Sequence, residues 1–229
     1  MKVDILSLFP EYFQGPFGVS ILKRAIEFGL ISIDLIDIRK FAEDKHKRVD
    51  DRPYGGGPGM VMMPGPCVRA IRSVWKENSH VIYLSPQGET LKAKKCEELA
   101  KKPHLILLCG HYEGMDQRVI DSEVDEVISI GDYVLTNGCL PAIVLIDAVA
   151  RFISGILGHE DAAKYDSFQE GMLEGPQYTR PEEFEEMRVP EILTSGNHKE
   201  IAKWRKSQGE KITRQVRSEL LGVNDEPID

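Results

Sequence analysis

Ile130-Gly131-Asp132-Tyr133-Val134-Leu135-Thr136-Asn137-Gly138-Cys139-Leu140-Pro141 is the stretch on which the reading of the chain turns. It follows residues 124–130 (VDEVISI), an apolar segment that reads as a strand. It precedes residues 142–153 (AIVLIDAVARFI), long and apolar enough for a buried helix. Pro141 suits the first turn of that helix, where a missing N–H costs nothing. The loop between them carries two glycines and few long charged side chains, so it offers bare backbone N–H and C=O groups. It would lie at the carboxyl end of a strand, where open α/β sheets bind small molecules. On this segment alone a ligand loop and a plain strand-to-helix turn fit equally well.

Upstream, the same pattern repeats. Residues 80–84 read as a strand that ends in Ser85-Pro86-Gln87-Gly88, and residues 90–100 as a helix. Residues 104–109 (HLILLC) read as a fully buried strand ending in Gly110-His111-Tyr112-Glu113-Gly114, with a short helix at 116–121. Strands alternating with helices predict a mainly parallel sheet, whose carboxyl ends share one edge. The loops starting at Ser85, Gly110 and Gly131 then converge on one pocket. None matches GxGxxG, so a nicotinamide cofactor is not indicated.

Nearer the start, residues 3–8 and 31–38 read as strands and residues 19–28 as a helix, with Gly29 as its C-cap. Residues 40–66 then show no period, and residues 67–76 are helical. The aperiodic stretch contains Lys45-His46-Lys47-Arg48, and four glycines and two prolines between Pro53 and Gly59. Loops this long within a compact domain are usually functional or disordered, and these glycines and prolines specify backbone shape. The reading preferred is a substrate-facing loop. It is not a P-loop, since the GK[ST] ending is absent.

Past Gly158, residues 159–171 (HEDAAKYDSFQEG) read as a linker or lid. Asp147 and Arg151, four apart, share a helical face and would ordinarily form a structural ion pair. From residue 173 on no strand run is evident; helical patterns fall near 181–187, 197–207 and 213–221, and residues 225–229 read as a frayed tail. The expected organisation is therefore a ligand-binding domain over 1–158, a linker over 159–172 and a small helical domain over 173–229.

Composition bounds the function. The chain has 229 residues, 41% hydrophobic and 29% charged, with a net charge of −8. That is the make-up of a soluble globular protein. No apolar run reaches the ~18 residues of a membrane helix, and no secretory signal pattern precedes the first strand, so a cytoplasmic protein is expected. The four cysteines are widely spaced and read as free thiols, with no zinc pattern. Residues 194–218 carry seven Lys/Arg and two Glu, a local +5 that leaves −13 for the rest. Such a patch serves phosphate binding or is an ordinary solvated helix surface.

Several strings, taken in order, resemble the bacterial tRNA (guanine-N1)-methyltransferases of the knotted SPOUT class. They are LFPEYF (8–13), DDRPYGGGPGM (50–60), YLSPQG (83–88), GHYEGMDQRV (110–119), SIGDYVLTNGCLPA (129–142), DSFQEG (166–171), GPQYTRP (175–181) and SGNHKEIAKWR (195–205). The resemblance covers nearly the whole chain to about residue 221. It implies an α/β fold with a mainly parallel sheet, a trefoil knot formed by the three ligand loops and a helical C-terminal domain that binds tRNA. It implies S-adenosylmethionine as methyl donor, N1 of the guanine immediately 3′ of the anticodon (position 37) as acceptor, and a homodimer with active sites at the subunit interface.

Site residues are carried over from the same resemblance. Asp166 is implied as the base, Arg151 as the partner of the guanine O6, and Glu113 as the residue that positions the donor or recruits Mg2+. Pro86, Gly110, Tyr112, Gly114, Ile130, Gly131, Asp132, Tyr133, Val134, Leu135, Gly138 and Pro141 are implied to hold the donor. His46, Asp50, Arg52, Gly59, Lys199 and Arg205 are implied to meet the tRNA. The chain departs from the family string TGGELP at Asn137 and Cys139, and Glu89 stands where a basic residue is commoner. Two other functions share these features: a methyltransferase of the same class acting on another RNA, and a tRNA-binding protein without catalysis.

Overall fold

The computed structural model describes residues 1–158, 163 and 166–222. The chain divides into two compact units, Met1–Glu160 and Asp161–Asp229.

In the first unit the elements run β1 (Lys2–Ser7), α1 (Gln14–Phe17), α2 (Ser20–Glu27), β2 (Ser32–Asp37), β3 (Asp50–Asp51), β4 (Val61–Met62), α3 (Pro64–Val74), β5 (Ser79–Thr90), α4 (Ala93–Ala100), β6 (His104–Cys109), α5 (Gln117–Glu123), β7 (Glu126–Ser129) and α6 (Cys139–Ala150). Five strands form one sheet in the order β2-β1-β6-β5-β7, every pair parallel. The parallel sheet expected from alternating strands and helices is present.

Both faces are covered, which is why β6 is apolar and buried along its whole length. On one face Ile5, Ile82, Leu105 and Leu107 pack with Leu22, Leu99, Leu145 and Val149. On the other, Leu6, Val81, Ile106 and Leu108 pack with Cys67, Ile71 and Val119. The four cysteines are free and buried. At the amino-terminal edge of the sheet, His104 bridges two polar groups: Nε2 lies 2.7 Å from Asp4 Oδ2 and Nδ1 lies 2.7 Å from the Ser79 hydroxyl. Asp4 is fully buried, and its other oxygen has no hydrogen-bond partner among the described residues.

Several boundaries differ from expectation. Strand β5 continues past Leu84: Leu84 and Glu89 both register on Ile128, with Ser85–Gly88 bulging out between them. The following helix therefore starts at Ala93 rather than 90. Helix α6 starts at Cys139, three residues early, because Gly138 forms its N-cap. The aperiodic stretch of 40–66 holds the two-residue hairpin β3–β4 and the first turn of α3.

In the second unit, residues 181–187 are not helical. They form a hairpin, β8 (Glu183–Phe184) with β9 (Met187–Arg188), whose corner residues Glu185 and Glu186 have φ of 48° and 64°. Two positive φ values in a two-residue turn match the twist of antiparallel strands, and that tertiary choice overrides the helical charge spacing. The Arg188 guanidinium also reaches Glu183 at 2.7 Å. After α7 (Glu191–Thr194), the two helices expected at 197–207 and 213–221 are one, α8 (His198–Val216), followed by a 3-10 turn at Ser218–Leu221. Gly209 does not break α8. It is buried because the Leu173 carbonyl packs where a Cβ would stand. The Thr213 hydroxyl accepts from the Leu173 N–H at 2.9 Å and donates to the Gly209 carbonyl at 2.7 Å. The tail at 225–229, and residues 159–162, 164 and 165 of the expected linker, lie outside the described residues. No described helix is long and apolar enough to cross a membrane.

Candidate functional site

At the carboxyl edge of the sheet the loops after β6 and β7, together with the bulge in β5, enclose a cavity of about 390 Å³. Of the residues implied to hold a donor, Pro86, Gly110, Tyr112, Gly114, Ile130, Gly131, Tyr133, Val134, Leu135, Gly138 and Pro141 line it, as does Glu113. Asp132 is not among the lining residues and is exposed. His111, Thr136 and Asn137, which lie within the expected donor loops, line it too; sequence reasoning missed Gln87 and Ser129, which flank those loops, and Gln117 and Ile120, which reach the cavity from α5.

The cavity wall is mostly main chain in close contact. The Gly138 N–H donates to the Gly110 carbonyl at 2.8 Å, and a Cβ on Gly138 would press on the backbone of Cys109 and Gly110. A Cβ on Gly88 would overlap the Val127 carbonyl. The Ser129 hydroxyl donates to the Gly131 carbonyl at 3.0 Å and accepts from the Gly131 N–H at 3.2 Å, which sets the turn out of β7. Tyr112 is held at φ 59°, a left-handed conformation that costs a non-glycine residue about 1 kcal/mol or more and is found most often at functional sites. Burial lifts the Tyr83 phenol above its ordinary value.

The departures from the family string fit this frame. Asn137 is not among the residues with positive φ; its side-chain oxygen accepts from the Cys139 N–H at 2.9 Å and so satisfies a donor in the first turn of α6. Cys139 is fully buried, 3.3 Å from the Ser7 hydroxyl and 3.9 Å from Nε2 of His111. A hydrogen bond from the Cys109 thiol, then those from His111 and Ser7, hold the Cys139 thiol below its ordinary value against the effect of burial. Cys109, buried beside it, is held well above its own. Loops after β1 and β6 and the start of α6 thus meet at one buried polar cluster.

The β3–β4 hairpin is stitched to the 110–116 loop. The Glu113 N–H donates to the Met60 carbonyl at 3.0 Å, the Met62 N–H to the Gly114 carbonyl at 2.9 Å, and the Asp116 N–H to the Met62 carbonyl at 3.0 Å. Gly59 packs against the Glu113 side chain. Asp50 is half-buried in β3, while His46, Arg52 and Gly59 are exposed. Arg151 is exposed at the C-cap of α6.

In the second unit a separate cavity of about 440 Å³ is lined by Asp166, Leu173, Gln177, Arg205 and Lys206, among others. Lys199 lies outside it, exposed in the first turn of α8. Among the described residues no group of three or more His, Cys, Asp or Glu is placed to hold a metal ion.

Over residues 1–223 the chain matches the family described as tRNA (Guanine-1)-methyltransferase TrmD. It is 66% identical to a tRNA (guanine-N(1)-)-methyltransferase of Protochlamydia amoebophila, over 96% of this chain and 100% of that protein. It is 60% identical to the enzyme of that name from Chlamydia pneumoniae, over 96% of this chain but only 61% of the longer relative. With that of Dictyoglomus turgidum the identity is 54%, over 96% and 90%.

Proposed function

This chain belongs to the tRNA (guanine-1)-methyltransferase family, and from that membership we propose that it moves a methyl group from S-adenosylmethionine to N1 of the guanine at tRNA position 37. The observation that carries the donor assignment is the cavity of about 390 Å³ closed by the carboxyl-edge loops. Its size suits a nucleoside joined to an amino acid. Its glycines let the main chain come close to the space a ligand would fill, and a Cβ at Gly110 would crowd the Tyr83 ring.

When bound, the donor supplies an electrophilic sulfonium methyl; the remaining chemistry falls to side chains. Guanine N1 carries a proton and is a poor nucleophile until that proton is removed. In this reading Asp166 accepts it, which requires its carboxylate within hydrogen-bond reach of N1–H. Negative charge then builds on O6, where the Arg151 guanidinium stabilises charge that develops in the transition state. The loop residues Pro86, Tyr112, Tyr133 and Leu135 hold the donor in line and exclude water. Glu113 orients it. Were Mg2+ recruited, Glu113 would be the carboxylate to meet it.

His46, Asp50, Arg52 and Gly59 from the first unit and Lys199 and Arg205 from the second are assigned to the tRNA, and 173–229 to a tRNA-binding domain joined through 159–172. A homodimer with active sites at its interface accords with Leu140 and Val144, four apart on α6 and both exposed. The trefoil knot accords with the close passage of Gly88 against Val127 and of Gly138 against Cys109. A tRNA substrate accords with a cytoplasmic location. Equilibrium dialysis with labelled S-adenosylmethionine tests the donor site: saturable binding, displaced by S-adenosylhomocysteine, is expected, and absence of binding overturns it.

A further inference from the structure

The β3–β4 hairpin has a firm foot and an exposed tip. At the foot Val49 and Met62 are fully buried, and the Met63 N–H donates to the Val49 carbonyl at 2.7 Å. The same foot carries the hydrogen bonds to the Glu113–Asp116 segment at the cavity. At the tip the Gly56 N–H donates to the Pro53 carbonyl at 3.3 Å, and Gly55 has φ of 85°. That is a type II turn with Tyr54 at its first corner. Tyr54 is 100% exposed, and nothing lies within 4 Å of a Cβ built on Gly55, Gly56 or Gly57.

The fold gains nothing from this ring. A type II turn requires glycine at its second corner, but an aromatic at its first corner has no packing role when wholly in water. The surroundings suggest a use. Lys45, Lys47 and Arg52 are exposed and, among the described residues, make no ion pair. Arg52 stands two residues from Tyr54 in the sequence, and an exposed aromatic on a loop that carries such cations can hold a nucleic-acid base by stacking and its phosphates by charge.

We propose that Tyr54 is a base-stacking residue, taking an unpaired nucleotide of the tRNA next to the target guanine. The proposal rests on the methyltransferase reading above. Unpaired bases are the ones meant, because a paired helix keeps its base faces covered and only splayed nucleotides offer them to a side chain.

The test is tRNA binding by the full chain, with S-adenosylhomocysteine present, for wild type, Tyr54→Ala and Tyr54→Phe, beside the donor affinity of each. Tyr54→Ala is expected to weaken tRNA binding roughly 5- to 150-fold, and Tyr54→Phe, which keeps the ring, to restore it to within about threefold of wild type. The ratio of wild type to Tyr54→Ala should be the same at low and moderate salt, since stacking releases no counterions. Donor affinity should be equal in all three. A Tyr54→Ala protein that binds tRNA within about twofold of wild type overturns the proposal. So does loss of donor affinity, which would make the loop part of the cavity, or loss of self-association with tRNA affinity intact, which would make Tyr54 a contact between copies. Failure of wild type to bind tRNA is a separate outcome: it removes the proposed function itself.

Discussion

The Gly138 N–H donates to the Gly110 carbonyl at 2.8 Å, so the loop after β7 is fastened to the loop after β6 with no room for a side chain between them. The hydrogen bond joins the two main walls of the cavity. Gly138→Ala forces these walls apart. We expect donor affinity to fall at least roughly tenfold, with a stability loss of about 1–3 kcal/mol typical of overpacking. Dialysis with labelled donor and thermal melts check this; unchanged affinity would show that the close passage does not shape the site.

Asp166 and Arg151 carry the proposed chemistry. Asp166→Asn keeps shape but not basicity, and kcat should drop about 10²- to 10⁴-fold with donor binding retained. Arg151→Ala should lose about 10²- to 10³-fold in kcat. Single-turnover methyl transfer measures both, and an Asp166→Asn enzyme with wild-type kcat would move the base elsewhere.

Far from the cavity, the Asp4–His104 contact is a stability element. His104→Ala leaves a fully buried carboxylate without its 2.7 Å partner. Breaking a buried pair from one side costs about 3–5 kcal/mol, and Lys2, 3.3 Å from the same oxygen, should bring the loss to the lower end. Denaturant unfolding reads the value directly. A loss below about 1 kcal/mol would mean that Lys2 alone satisfies Asp4.

Glu126 sets part of the acid limb. Burial acts to raise its carboxyl, but hydrogen bonds from Lys95 at 2.7 Å and His80 at 3.2 Å outweigh it and hold the group below its ordinary value. A lowered folded value means that the contribution is complete above the unfolded value, ~4.3 for Glu, and disappears as pH falls through the folded one. Wild type should therefore be more stable than Glu126→Gln at neutral pH, and the gap should close on acidification. A gap that widened toward low pH would contradict this.

Much of the sheet was legible because its strands are short apolar runs with clear stops. Strand β6 matches its expected bounds, held between Pro103 and Gly110. The strand-end loops were legible for the same reason: each follows an apolar run and carries glycine or proline. What was not legible depends on contacts between distant residues. Nothing near Met60 or Met62 announces their hydrogen bonds to Glu113, Gly114 and Asp116. The gap between the helical patterns at 197–207 and 213–221 is not legible as helix because it rests on the Leu173 carbonyl packing against the open side of Gly209. The Glu185–Glu186 corner is hidden because charged residues spaced like a helix rarely adopt positive φ. Gln117 and Ile120 escaped notice because helical periodicity shows which face is buried, not which end meets a cavity.

The measurement that tests the account most directly is transfer of labelled methyl from S-adenosylmethionine to two unmodified tRNA transcripts, one with guanine and one with adenine at position 37. The modified nucleotide is mapped by the reverse-transcription stop that an N1 methyl imposes on the pairing edge. Label and a stop are expected at position 37 in the guanine transcript alone, both lost in Asp166→Asn. Label at any other nucleotide, or none from a protein that binds the donor, would contradict it.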